Sequence, residues 1–87
     1  MMPPNINDEA RQVLDALRER PMEGYALRSR TGMEGDKIVK AVQDLREQNL
    51  VMVKGANLTE KNLDELLVWI PPNAQGKVAF LLGSSMS

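Results

Sequence analysis

The chain has 87 residues, one domain's worth, and a chain this short buries only about 60–65% of the surface its unfolded form exposes, so its core must be single and small. It has neither cysteine nor histidine, which excludes disulfide frameworks, thiol nucleophiles, imidazole bases and the usual zinc ligand sets. With 11 Lys and Arg against 12 Asp and Glu its formal charge is -1, so only the distribution of charge, not its sum, can favour nucleic acid.

Residues 1–6 and 84–87 read as a flexible start and tail around one unit, 7–83, with no repeat or low-complexity run. Asn7 is a good helix N-cap, and Asp8 and Glu9 place acids in the first turn, where the helix dipole favours them. Ala10, Val13, Leu14 and Leu17 then recur at helical spacing until Pro21 stops the element, which predicts an amphipathic helix over 8–19. After "PMEG", the stretch "YALRSR" (25–30) predicts a short helix with Tyr25, Ala26 and Leu27 inward, and Gly32 fits the left-handed position just past its end. A third helix, over 35–48, opens near Glu34 and Asp36 and carries Ile38, Val39, Val42 and Leu45 as its apolar stripe. Asn49, which tolerates a left-handed backbone best after glycine, stands at its exit, with Leu50 placed to fold back on the last turn.

Strand signals follow. "LVMVK" (50–54) is apolar and β-branched and stops at Gly55, and Thr59 can cap a short helical insertion stapled by Leu58 and Leu63. "LVWI" (67–70) and "KVAFLL" (77–82) read as two further strands joined by the turn "PPNAQG". Both runs are apolar on both faces: Leu67 and Trp69 oppose Leu66, Val68 and Ile70, and Val78, Phe80 and Leu82 oppose Ala79 and Leu81. A sheet with one face on helices alternates apolar and polar residues, so the second face needs a cover. Either the stapled insertion supplies it, or another protein chain does, with self-association through Trp69, Phe80 and Leu82. Aromatics are only 3% of the chain against 43% hydrophobic residues, so the core is expected to be aliphatic around Tyr25, Trp69 and Phe80, with Met22, Met33 and Met52 as filler.

The longest apolar runs fall far short of the ~20 residues that span a bilayer, and "MMPPNIND" lacks the basic and apolar regions of a secretion signal. A soluble cytoplasmic protein with no membrane partner is expected. Glu34 with Asp36, and Asp64 with Glu65, are carboxylate pairs in sequence only, and "GMEG" lacks the following Lys-Ser/Thr of a phosphate loop. No enzymatic activity, metal or cofactor is therefore expected.

Three helices followed by strands are the parts of an α+β winged helix-turn-helix, a three-helix bundle with a small antiparallel β-sheet, the wing hairpin, on its C-terminal side. At residue level, "YALRSRTGMEGDKIVKAVQDLREQNLVMVKG" (25–55) resembles the core segment of MarR/PadR/ArsR-type winged helices. There a short helix ends at a Thr-Gly-hydrophobic turn and the next helix leads into the wing through a frame on which Val42, Leu45, Asn49, Leu50 and Val51 sit.

The resemblance implies a transcriptional regulator, or the DNA-binding part of one, whose helix 35–48 enters the major groove of double-stranded DNA. The helix before it would brace on the backbone. Arg28 and Arg30 would then lie toward phosphates, as would Lys54 and Lys61 at the hairpin and its insertion. Lys37, Lys40 and Gln43 face outward on the third helix, Lys40 and Gln43 being the base-edge readers because a glutamine amide pairs bidentately with adenine.

From 28 to 54 there are six basic and four acidic residues, a net +2 against -3 for the remainder. Three or four phosphate contacts give a shallow salt dependence, so a dimer on two half-sites is expected. Glu34, Asp36, Asp64 and Glu65 oppose DNA. Two other accounts stand beside this one: an ordinary solvated surface with Asp36 and Lys40 as an i, i+4 pair, or a winged-helix protein-interaction module using the mixed-charge third helix and the apolar C-terminal hairpin. The wing tip is either the 55–65 insertion or the "PPNAQGK" turn.

Overall fold

The computed structural model describes residues 6–55, 58–59 and 61–82. The expected flexible tail, and all but Ile6 of the flexible start, lie outside them; Ile6 itself packs against the core.

Helix α1 (Asp8–Leu17) is capped by the Asn7 side chain, whose oxygen accepts the Ala10 N–H at 2.8 Å. Its inner face buries Ala10, Val13, Leu14, Ala16 and Leu17. The helix ends two residues before the expected boundary, because the chain turns at Arg18 and Glu19 to deliver Met22 and Glu23 to a sheet as β1. Helix α2 (Gly24–Thr31) follows at once, and its first N–H donates to the Leu66 carbonyl at 2.9 Å.

Helix α3 (Gly35–Glu47) buries Ile38, Ala41, Val42 and Leu45, mainly against α1. At its exit Asn49 has φ 62°, the Asn49 N–H donates to the Arg46 carbonyl at 3.0 Å, and the Leu50 N–H donates to the Leu45 carbonyl at 2.9 Å. This is a Schellman termination, with Leu50 and Leu45 both buried beneath it as the motif requires.

Strand β2 (Met52–Lys54) and strand β3 (Leu67–Trp69) form an antiparallel hairpin, and β1 pairs antiparallel with the other edge of β3, giving the order β1-β3-β2. The register aligns Met22, Val68 and Val53 in one row and Glu23, Leu67 and Lys54 in the next. Since neighbours in a row share a face, Met22 and Val68 are buried on the helices while Met52 and Trp69 share the outer face. The segment joining the two hairpin strands is 55–66, which includes a 3-10 turn at Leu63–Glu65; there the Asn62 N–H donates to the Thr59 hydroxyl at 3.3 Å and to its carbonyl at 3.2 Å.

The chain's last element corrects the expected strand at 77–82. A 3-10 turn at Pro72–Ala74 runs into helix α4 (Gln75–Leu81). Both edges of β3 are already taken by β1 and β2, so a strand here would not join the sheet beside β3. Ala74 and Val78, four residues apart, are instead buried as one helical stripe, with Leu81 and Leu82 packed at its end. "PPNAQGK" is thus a helix entry rather than a hairpin turn.

The aromatics are a second correction. Phe80 is 65% and Tyr25 55% exposed and Trp69 is half-buried, so the core consists of aliphatic residues with Met22. Met52 is 49% exposed and does not act as filler. No helix among the described residues is long and apolar enough to cross a membrane.

Candidate nucleic-acid interface

The link between α2 and α3 is fixed by two adjacent residues. The Thr31 hydroxyl donates to the Leu27 carbonyl at 2.7 Å and accepts the Met33 N–H at 3.2 Å, closing the end of α2 onto the next segment. Gly32 has φ 74°, a conformation that would strain a residue bearing a Cβ, and its N–H donates to the Arg28 carbonyl at 2.8 Å. The link between the two helices is thereby confined to residues 32–34. Glu34 starts α3 through its backbone, its carbonyl accepting the Lys37 and Ile38 N–H groups at 3.1 Å each.

With Ile38, Ala41, Val42 and Leu45 buried, α3 turns Asp36, Lys37, Lys40, Gln43, Arg46 and Glu47 to solvent, with Asp44 half-buried at the margin. Lys37, Lys40 and Gln43 are therefore on the expected side. Asp36, Asp44 and Glu47 share it, so this face of the helix has no net positive charge. The Asp36–Lys40 pair of the solvated-surface account is not among the ion pairs of the described residues, whereas Lys37 approaches Glu9 of α1 at 3.7 Å.

The arginines of α2 are also engaged. Arg28 Nε lies 3.3 Å from Asp64 Oδ1 and its Nη2 3.4 Å from Asp64 Oδ2, a side-on fork that ties α2 to the hairpin connection. Arg30 hydrogen-bonds and ion-pairs with Glu19, just past α1. That hydrogen bond first, then the Glu19 charge and more weakly that of Asp15, raises the Arg30 pKa above the usual arginine value. Each of these side chains is about half exposed (42–53%), so solvent weakens all three pairings.

Lys40, Lys54 and Lys61 have no ion-pair partner among the described residues, and all three are exposed. Lys54 closes β2 on the outer face and Lys61 lies in the hairpin connection. The seven expected contact residues thus fall into α2 (Arg28, Arg30), α3 (Lys37, Lys40, Gln43) and the hairpin (Lys54, Lys61), all solvent-facing. Three of the six cations are matched by a carboxylate.

No protein-family model, curated protein or solved structure matches the chain. Its chemistry is therefore read from these residues alone.

Two features were not foreseen in the sequence. Tyr25, expected inward, is exposed and borders an open groove of about 490 Å³ with Arg28, Ser29 and the start of α3. The counter-charges Glu9, Glu19 and Asp64 come from parts of the chain distant in sequence from the cations they meet, so spacing could not reveal them. Among the described residues no group of three or more His, Cys, Asp or Glu is arranged to hold a metal.

Proposed function

We propose that the chain is a winged helix-turn-helix module that binds double-stranded DNA. In this reading α3 enters the major groove, α2 braces against the backbone and the β2–β3 hairpin acts as the wing. The observation that carries it is the α2–turn–α3 unit followed by a hairpin. One face of α3 is fully buried, and its other face offers Lys37, Lys40 and Gln43 while Lys54 and Lys61 stand on the hairpin. The ion pairs of Arg28, Arg30 and Lys37 are compatible with this role, because exposed pairs of this kind contribute roughly 0–1 kcal/mol and a phosphate can displace the carboxylate.

With only Lys40, Lys54 and Lys61 uncommitted among the proposed contact cations, one copy has little hold on DNA, and useful affinity comes from a dimer bound to two half-sites. The exposed Phe80 of α4 supplies apolar surface for a second copy. The test is anisotropy of labelled duplex DNA at low salt. Affinity is expected to fall with salt and on reversing Lys37 or Lys40; no change in anisotropy at high micromolar protein would reject DNA binding.

A second reading is favoured by the charge balance of α3. A helix face on which Asp36, Asp44 and Glu47 alternate with Lys37, Lys40 and Gln43 suits a protein partner of complementary pattern. In that case duplex DNA fails to bind at any salt concentration, and reversals on α3 affect the partner complex alone.

A further inference from the structure

The end of α1, the 18–21 link that follows it and the end of β3 face α4 across a groove of about 480 Å³ on which the reading of α3 does not depend. Its floor is aliphatic: Leu17, Ile70 and Val78 are at most 8% exposed. Trp69 and Ala79 form part of the wall, and Arg18 and Arg20 stand on the rim, both exposed. Neither arginine has an ion-pair partner among the described residues. Glu19, which lies between them and also borders the groove, has its carboxylate engaged by Arg30. The cleft is thus apolar at its base and carries uncompensated positive charge at its edge.

We infer that this groove receives a short peptide segment of a partner protein, one that inserts a bulky apolar side chain beside two or more carboxylates. The volume lies within the range of about 300–1,000 Å³ typical of ligand pockets. Two guanidinium groups match carboxylates through paired N–H donors. Nucleic acid fits less well, because no polar or charged side chain is buried among the described residues. A base placed on the floor would therefore leave its donors and acceptors unpaired. On a helical projection Phe80 points away from the side of α4 that carries Gln75, Val78 and Ala79, so the groove and a Phe80-centred self-contact are separable surfaces.

Trp69 is the only tryptophan and reports on the groove directly. The probe is a short synthetic peptide with leucine and phenylalanine anchors flanked by glutamates. It is compared with a lysine-flanked version, with a glutamate peptide lacking the anchors, and with single-stranded oligo-dT. The acidic anchored peptide is expected to shift Trp69 emission saturably and to lose affinity with added salt. Arg18→Glu and Arg20→Glu should each weaken it by about tenfold, while Lys77→Glu, outside the groove, leaves it unchanged. Circular dichroism of each variant establishes that it is folded. Four results would overturn the inference: an equal response to the lysine-flanked peptide, no response at millimolar acidic peptide, a response to oligo-dT only, or a concentration-dependent Trp69 shift without peptide that accompanies a dimer mass in light scattering.

Discussion

Gly24 and Gly76 show how one substitution can have opposite consequences within a short chain. A Cβ on Gly24 would overlap the Leu63 backbone carbonyl, where α2 begins against the hairpin connection, whereas one on Gly76 meets open space in α4. Gly24→Ala is therefore expected to destabilise by about 1–3 kcal/mol through overpacking, and Gly76→Ala to stabilise by about 0.5–1 kcal/mol through helix propensity. Paired urea titrations measure both. Asp64 makes a related electrostatic point: its carboxylate holds Arg28 in a two-contact pair and adds negative charge beside α2. If α2 braces on DNA, Asp64→Asn should raise DNA affinity by roughly a few-fold with little effect on unfolding, since a half-exposed pair contributes little to stability. Equal affinity of the two proteins would show that Arg28 does not contact phosphate.

At the scale of elements, signals confined to one or two helical turns were legible and signals set by distant pairing were not. Asn7, Gly32 and Asn49 act locally, and each stands at the expected helix end with the expected hydrogen bonds or backbone angle. Asn7→Ala should accordingly cost about 1 kcal/mol, read as a lower midpoint of thermal unfolding. Strand β1 has no signature in the sequence because two residues carry no periodicity; only the pairing of Met22 with Val68 makes them a strand. The run at 77–82 reads as a strand and is a helix for a related reason, since a short apolar stretch suits strand and helix alike, and the full occupation of β3 by its two neighbours is not visible in a sequence. Tyr25 was misplaced because α2 is only eight residues long and buries just Gly24 and Leu27 completely, too narrow a stripe for an inward aromatic. The candidate contact residues were legible as exposed cations, because charged side chains rarely bury unpaired. Their partners Glu9, Glu19 and Asp64 were not, as ion pairs between elements arise only once those elements pack.

On the scale of the whole molecule, the apolar surface left outside the core and the near balance of charge bear on assembly and ligand together. Phe80 is the most exposed large apolar residue described, so Phe80→Glu should abolish any dimer, leaving light scattering at a single-chain mass at all concentrations. The proposed DNA contacts involve few cations, and their number sets how steeply binding falls with salt, by about 0.9 in log K per log salt for each phosphate neutralised. The most direct test of the account is therefore a series of anisotropy titrations of labelled duplex DNA at rising salt, with the natural chain and with a Lys37→Glu, Lys40→Glu double variant. The account predicts a measurable affinity at low salt with a shallow slope, and a variant that binds more weakly with a slope lower by about two. Duplex binding that is absent at low salt, or identical in the two proteins, would contradict it.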